Sequence, residues 1–550
     1  ARIQRAAATK EMFRRLPSLK AAHSGGLSLI KIPISGPLSP DATRAGITVT
    51  EPSEIEDHIL RRNRQHFSQA KETPFATPPL KQIFNWQGTG TTADRVLDST
   101  FNPLEDNNVD TFYDITSTST KILQNCFRRL AEIPPGLDLH EMKKAYRIWN
   151  ENTSTSPSGR HLGHYHAIPK ADGLKKDSAE AIAMEESRNS IWSIHHGLFE
   201  YGIRNAHCFT RWKQIVNAMI EKEPGNPWIH RLRVIHLYKN DYNLLLGTQY
   251  RKAVHAAEDA QALNDGNFGA RTARSSLDPI GIEILQYEYS RLLRLRHLKF
   301  SNDATACYDR IVVNLASIVS RSFGLHRNIT TIQGDMLQNA IYRIKTQMGI
   351  SEGYYYHNDN DPVYGTGQGS KSSPPIWNFN SSIFFDTFDR EAFGATYYSV
   401  SGQHLKIGMT GFVDDNNCNV CEDAIDHETS SAGIVQRMRT DAQLWHDILW
   451  SSGGALELTK CQYHLMHWNF TMAGVPMLET GVHNSNQIEL TSPFGSTLRI
   501  KQLGCGTSYK TLGAFVEPLQ HQQTQYRSLL KNARLHTKLL ATSSCKFNHA

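Results

Sequence analysis

Gly411-Phe412-Val413-Asp414-Asp415-Asn416-Asn417 sets two adjacent carboxylates between apolar residues and an Asn pair that favours turns. Strand-like sequence flanks it over 405–421, so the segment reads as the tip of a β-hairpin. Carboxylates placed side by side repel one another and raise each other's pKa unless something cationic sits between them and a third acid. A pair of divalent cations meets that need. Mg2+ is hard, takes oxygen ligands and keeps waters, so one or two carboxylates plus substrate phosphates suffice for each ion.

The third acid lies upstream, in Asn302-Asp303-Ala304-Thr305-Ala306-Cys307-Tyr308-Asp309, where an acidic residue ends a short strand and an aromatic follows five places later. A further segment, Gly365-Thr366-Gly367-Gln368-Gly369-Ser370-Lys371-Ser372-Ser373-Pro374, is a small-residue loop opening a helix. Each piece alone has an ordinary reading. An Asp-Asp in a turn is a solvated turn, and an Asp before a helix is an N-cap. The glycine loop lacks both the Gly-x-x-x-x-Gly-Lys spacing of a P-loop and the Gly-x-Gly-x-x-Gly spacing of a dinucleotide fold. Together and in this order the three are far more specific. In a two-metal site one ion lowers the pKa of an attacking hydroxyl and the other holds the leaving oxygen and the triphosphate. Asp303 and Asp414 are then the primary ligands, with Asp415 assisting.

These segments resemble motifs A, B and C of reverse transcriptases of the kind found in non-LTR retrotransposons and group II introns. Asp303, Tyr308 and Asp309 are similar to Asp-x-x-x-x-Phe/Tyr-Asp. Gly365, Gln368, Gly369, Ser370, Ser373, Pro374 and Asn378 match Gly-x-x-Gln-Gly-Ser-x-x-Ser-Pro-x-x-x-Asn, and Phe412 to Asp415 match Phe/Tyr-x-Asp-Asp. Lys222-Glu223-Pro224-Gly225 with Arg231-Leu232-Arg233-Val234-Ile235 resembles the fingers motif whose Lys and Arg grip the incoming triphosphate. Asn267 to Ser275 is similar to the segment before motif A, and Ser156-Pro157-Ser158-Gly159 sits where the family has a Gly-x-Asp-Gly-like turn. Gly454 to Cys461 looks like motif D, and Tyr509-Lys510-Thr511-Leu512-Gly513 looks like motif E, a hairpin beneath the primer terminus.

The resemblance covers roughly 155 to 516, about two thirds of the chain. It implies a right-hand polymerase with an N-terminal extension over 1–140, fingers over 141–302, an antiparallel palm over 303–516 and the start of a thumb over 517–550. It implies Asp303, Asp414, Asp415 and Lys460 as catalytic residues, Lys460 protonating the leaving pyrophosphate. Two Mg2+ ions, with Mn2+ able to substitute, are expected on Asp303, Asp414, Asp415 and the Ala304 backbone carbonyl. Lys222, Arg231, Arg233, Tyr308, Gln368 and Gly369 are expected to bind the nucleotide. Arg271, Arg274, Ser370, Leu512 and Gly513 are expected against template and primer. The family places an aromatic at Tyr308 against the sugar's C2′ position, where a bulky ring rejects a ribose hydroxyl by clash. That favours DNA over RNA synthesis. The implied activity is RNA-directed DNA polymerisation in a retroelement, on an RNA template, from dNTPs and a DNA or RNA primer. An RNA-dependent RNA polymerase is the alternative enzyme. A nucleic-acid-binding protein that keeps the fold without turnover is the alternative from another class; a pure binder, however, needs no cluster of acids.

The rest of the sequence sets the frame. At 550 residues the chain exceeds what one hydrophobic core usually organises, so two or more units are expected. Hydrophobic residues at 39% and charged ones at 20% exclude a disordered or collagenous chain. Lys and Arg exceed Asp and Glu by 59 to 53, an excess compatible with a polyanionic partner that does not demand one. No apolar stretch approaches the roughly 18 residues needed to cross a bilayer, and no signal-peptide run opens the sequence, so no membrane role is expected and a nuclear or cytoplasmic setting is. The first residue is not Met, which suggests a slice of a longer polyprotein with an endonuclease elsewhere. Eight cysteines without repeated spacing read as reduced thiols, and Cys418-Asn419-Val420-Cys421 as the outgoing hairpin strand rather than a zinc site. His161, His164 and His166, like Cys461, His464 and His467, read as ordinary residues.

Helical periodicity predicts helices from about 140 to the Ser154–Gly159 loop, over 176–222, 283–297, 309–323, 329–348, 375–388 and 432–452, with short strands at 298–303 and 394–400. A last helix falls in 517–545, with Tyr526, Leu529, Leu530, Ala533, Leu539 and Leu540 spaced for packing and Arg527, Lys531, Arg534 and Lys538 interleaved for phosphate contact. Helices alternating with antiparallel-looking strands give an α+β class, preceded by a mostly helical N-terminal extension with a basic start (Arg2, Arg5, Lys10, Arg14, Arg15, Lys20).

Overall fold

The computed structural model describes residues 27–34, 45–103, 116–148, 174–175, 177–223, 225–425, 430–482 and 487–542. The basic start, the Ser154–Gly159 loop and the histidines at 161, 164 and 166 lie outside the described residues, as do the side chains of Leu539 and Leu540. Among the described residues the fold is α+β, with thirteen α-helices and several largely antiparallel sheets. None of these helices is long and apolar enough to cross a membrane.

The chain forms two compact units, each assembled from separate stretches. One comprises Ala1–Thr116, Cys126–Ala262 and Ala306–Asn380; the other comprises Ser117–Asn125, Leu263–Thr305 and Ser381–Ala550. Residues 306–380 of the expected palm span therefore belong to the first unit, and residues 263–302 of the expected fingers span to the second.

The second unit is organised by a six-stranded sheet. In spatial order its strands are Met409–Phe412, Asp415–Cys421, His297–Asp303, Gln462–Met466, Thr497–Leu503 and Ile488–Thr491. His297–Asp303 is buried along its whole length because it has a neighbour on both edges and is covered on both faces. On one face the indole of Trp445, from helix Ser431–Ser451, donates to Asn302 at 2.8 Å and packs edge-on to Phe385 and Phe388. On the other, Ile280 and Tyr287 of helix Leu277–Leu293 join Met466, Leu503, Cys505, Tyr509 and Val516 in one apolar cluster. The sheet is antiparallel except where Gln462–Met466 runs parallel to Thr497–Leu503.

The first unit carries a five-stranded sheet built on Leu232–Leu237, Gln214–Glu221 and Ile341–Thr346. Two expected helices are corrected here. The helix read over 176–222 ends at Arg204, and Gln214–Glu221 is a strand. The helix read over 329–348 ends at Gln338, and Ile341–Thr346 is a strand whose Tyr342, Ile344 and Thr346 face inward. Both strands are fixed by their pairing with each other, Gln214 to Ile341 through Ala218 to Lys345. Among its described residues the N-terminal region carries helices such as Pro52–Phe67, Thr91–Leu97 and Ser117–Asn125, together with a two-stranded sheet, Ile30–Pro33 with Gly46–Val49.

Candidate active site

The Asp-Asp segment is the tip of a hairpin, and the tip is tight. Phe412 pairs with Asp415, leaving Val413 and Asp414 as a two-residue turn. Val413 takes the left-handed backbone with φ 62°, a conformation that a β-branched residue adopts only where its surroundings enforce it. Gly411 is required one step earlier, since a Cβ there would stand 2.1 Å from the Asn416 side-chain oxygen and 2.6 Å from the Phe385 ring. The turn is clamped from outside as well: the Ala304 N–H donates to the Asp414 carbonyl at 3.1 Å, and the Asn416 amide donates to the same oxygen at 3.2 Å.

The outgoing hairpin strand lies against His297–Asp303 in the register Asp415 to Asp303. Two acids far apart in sequence are thus directly opposed at the end of the sheet, with Asp414 next in line. Asp303 is buried, and the Lys460 ammonium reaches in to bond its carboxylate. Lys460 comes from the turn after Ser451, which is tied to the end of the Asp303 strand by Glu457 N–H to the Asp303 carbonyl at 2.9 Å and Thr305 N–H to the Ala455 carbonyl at 2.8 Å. Burial works to lower the Lys460 pKa, but the hydrogen bond and charge of Asp303, with Glu457 and Asp414, outweigh it and hold the ammonium above its ordinary value. Glu457 was not foreseen as part of this cluster, although it stands inside the quoted Gly454–Cys461 stretch.

Asp415 bears the strain of this arrangement. Burial, then the charges of Asp414 and Asp303, push its carboxyl up to about 6, against the pull of Lys460 and of the Leu512 N–H that donates to it. Leu512 is held there by its own hairpin, in which Thr511 pairs with Ala514 around a Leu512–Gly513 turn with φ of 49° and 90°. The sign of the pH effect follows. The folded pKa lies above the ordinary carboxylate value of about 4, so the folded protein binds more protons than the unfolded chain in that interval. The associated stability is present below pH about 4 and is lost as pH rises through about 6. Asp415→Asn is expected to flatten this slope and to melt above wild type at pH 7, read by thermal unfolding from pH 4 to 8. Equal slopes in the two proteins would count against the crowding of these carboxylates.

Among the described residues no group of three or more His, Cys, Asp and Glu side chains forms a ready metal cage. The chemistry of the donor set nevertheless suits a hard divalent ion: the acids opposed here are all carboxylates, and one ammonium is their close counter-charge. The other expected residues of this unit flank the hairpin. Phe268 N–H donates to the Gly411 carbonyl at 2.9 Å and Gly411 N–H to the Gly266 carbonyl at 2.8 Å, so the Asn267–Ser275 segment runs beside it. Arg271 caps that segment through the Asn264 and Asn267 carbonyls at 2.9 and 3.0 Å, while the Arg274 guanidinium lies 5.5 Å over the Phe268 ring.

The first unit gathers the remaining expected residues. The glycine loop is laced to the strand bearing Arg233 by His236 N–H to the Gln368 carbonyl at 2.6 Å, and to the turn bearing Tyr308 by Thr366 N–H to the Tyr308 carbonyl at 2.9 Å. Gly365, at φ 90°, lies so close to Asp309 that a Cβ would meet its backbone at 2.7 Å. The Tyr308 ring stands edge-on to Trp377 at 6.4 Å. Gln368 is half-buried; Gly369, Lys222 and Arg233 are exposed. Arg231 bonds Glu223 at 2.6 Å. Ser370 is buried with its hydroxyl on that of Ser372 at 2.8 Å, so it faces the loop's own interior. Comparison with protein-family models and with curated proteins finds no match to this chain.

Proposed function

We propose that this chain is an RNA-directed DNA polymerase of retroelement type, with a right-hand polymerase body and Asp303, Asp414 and Asp415 as its catalytic carboxylates. The observation that carries the reading is the register that opposes Asp415 to Asp303 at the end of a buried strand, with Asp414 in the adjoining turn. A fold that needed these acids only as solvated turn residues would have no reason to bury Asp303 beside them.

Asp303 and Asp414 would be the principal ligands of a divalent cation, with the Ala304 carbonyl beside them, and the ion would supply Lewis acidity toward the primer 3′-hydroxyl and the triphosphate. Asp415, held by the Leu512 N–H, closes the negative edge of the site. Lys460 stays protonated through Asp303 and gives its proton to the leaving pyrophosphate. The resemblance assigns Lys222, Arg231 and Arg233 to triphosphate charge, Gln368 and Gly369 to the nucleotide, and Tyr308 to exclusion of the ribose 2′-hydroxyl. Arg271, Arg274, Leu512 and Gly513 support template and primer. The template's A-like duplex is recognised by shape and backbone charge.

The test is primer extension by the full chain on RNA and on DNA templates with Mg2+ or Mn2+. Extension of a primer with dNTPs on RNA is the expected result. Incorporation of ribonucleotides in preference to dNTPs would favour the RNA-polymerase alternative, and no extension on any template would favour the non-catalytic binder.

A further inference from the structure

Beneath the Asp303 strand lies a buried charged group that the proposed chemistry does not use. Along that strand His297, Lys299, Ser301 and Asp303 alternate onto one face. Lys299 is 1% exposed and forms an ion pair at 2.6 Å with Glu283, itself 2% exposed, from helix Leu277–Leu293. The ammonium also lies 5.4 Å over the Tyr287 ring. Glu283 accepts the hydroxyl of Tyr509, and Ser301 shares that hydroxyl. Tyr509 is the first residue of the Tyr509–Thr511 strand, whose turn brings the Leu512 N–H to Asp415. His464, opposite Lys299 in the sheet, packs against the Tyr509 ring at 5.3 Å and bonds the Thr507 carbonyl at 2.9 Å.

Burying a full ion pair beneath a sheet stabilises little or nothing relative to apolar residues of the same shape. Its value lies in fixing geometry, because the Lys299 charge holds the Glu283 carboxylate where the Tyr509 hydroxyl finds its acceptor. Among the described residues the Tyr509 hydroxyl is the hairpin group that enters the network, and it sits three residues before the amide that touches Asp415.

We propose that Glu283 and Tyr509 are positioning residues: the Glu283–Tyr509 bond, oriented by Lys299, holds the Leu512–Gly513 turn at the carboxylate edge and so sets where a primer terminus rests. The primer role rests on the polymerase reading; the hold on Leu512 does not. Apolar packing of Ile280, Tyr287 and Val516 in the same cluster keeps the hairpin attached when the hydroxyl is lost, so the tether can be cut without unfolding the unit.

The experiment uses the full chain with Tyr509→Phe, which removes one oxygen and keeps the ring, beside the double variant Glu283→Gln with Lys299→Met, which removes both charges and keeps an acceptor for Tyr509. Hydrogen exchange of the Leu512 amide is measured in each, together with kcat and the dNTP KM in primer extension. Loss of a hydrogen bond to a charged group predicts that Tyr509→Phe raises Leu512 exchange about tenfold to a hundredfold and lowers kcat alike, with dNTP KM unchanged. The double variant, which keeps an acceptor but loses the charge and the orienting ammonium, is expected to raise Leu512 exchange by less than Tyr509→Phe does. Unchanged Leu512 exchange in Tyr509→Phe overturns the proposal, and so does a double variant that loosens Leu512 as much as Tyr509→Phe does. A chain that extends no primer refutes the polymerase reading alone, and the exchange result still decides the tether.

Discussion

Asp303→Asn is expected to lower primer extension by about a thousandfold or more, the scale on which removing a preorganised charge from a reacting phosphoryl centre acts. The replacement is nearly isosteric and sits at the end of a strand paired on both edges, so the strand has no cause to move. Two consequences separate this from unfolding. The ion pair given up to Lys460 involves a side chain that is 54% exposed, where such pairs stabilise little. Removing one negative charge also relieves Asp415, whose carboxyl Asp303 helps to push up. Thermal unfolding of Asp303→Asn should therefore match or exceed wild type at pH 7 while activity disappears. An active Asp303→Asn protein would mean that the opposed acids are structural.

The second large effect concerns the choice of sugar. The Tyr308 carbonyl is tied to the glycine loop by the Thr366 N–H, and the ring is set against Trp377, so the side chain has a fixed place. A fixed ring rejects a hydroxyl by clash, and a clash disappears when the ring does. Tyr308→Ala is expected to lower the preference for dNTPs over rNTPs by about a hundredfold, seen as the ratio of kcat/KM values for dATP and ATP. Tyr308→Phe should keep the wild-type ratio, because the ring and not the phenol hydroxyl makes the contact. An unchanged ratio in Tyr308→Ala would reduce Tyr308 to a packing aromatic.

What could be read in advance divides along the range of the forces involved. The hairpin tip was legible because two acids followed by two Asn residues admit few local conformations. The His297–Asp303 strand was legible nearly to its ends. Gln214–Glu221 was misread as helix because Ile215, Val216, Met219 and Ile220 satisfy a helical stripe as well as a strand. The choice is made by Leu232–Leu237 and Ile341–Thr346 on its two edges, which no local window contains. Likewise Met336, Leu337, Ile341 and Ile344 continue a helical period across Asn339, where the helix in fact stops.

At the site, the three acids were read from their own chemistry and Lys460 through the resemblance, whereas their mutual placement is a matter of register. The contact of the Leu512 amide with Asp415 involves a backbone group and leaves no mark on residue type. One signal was present in the sequence: Lys299, Ser301 and Asp303 alternate in a strand that reads as buried, and a buried lysine at strand spacing from an acid of the candidate site implies a partner such as Glu283.

The central claim is that carboxylates from two distant segments act together on divalent cations. Titration of Mn2+ into the full chain, followed by electron paramagnetic resonance, reads this without turnover. The account predicts saturable binding that weakens at least about tenfold in both Asp303→Asn and Asp414→Asn, since each removes a charged ligand shared by the site. Binding that is unaffected by both substitutions, or that responds to only one of them, would contradict it.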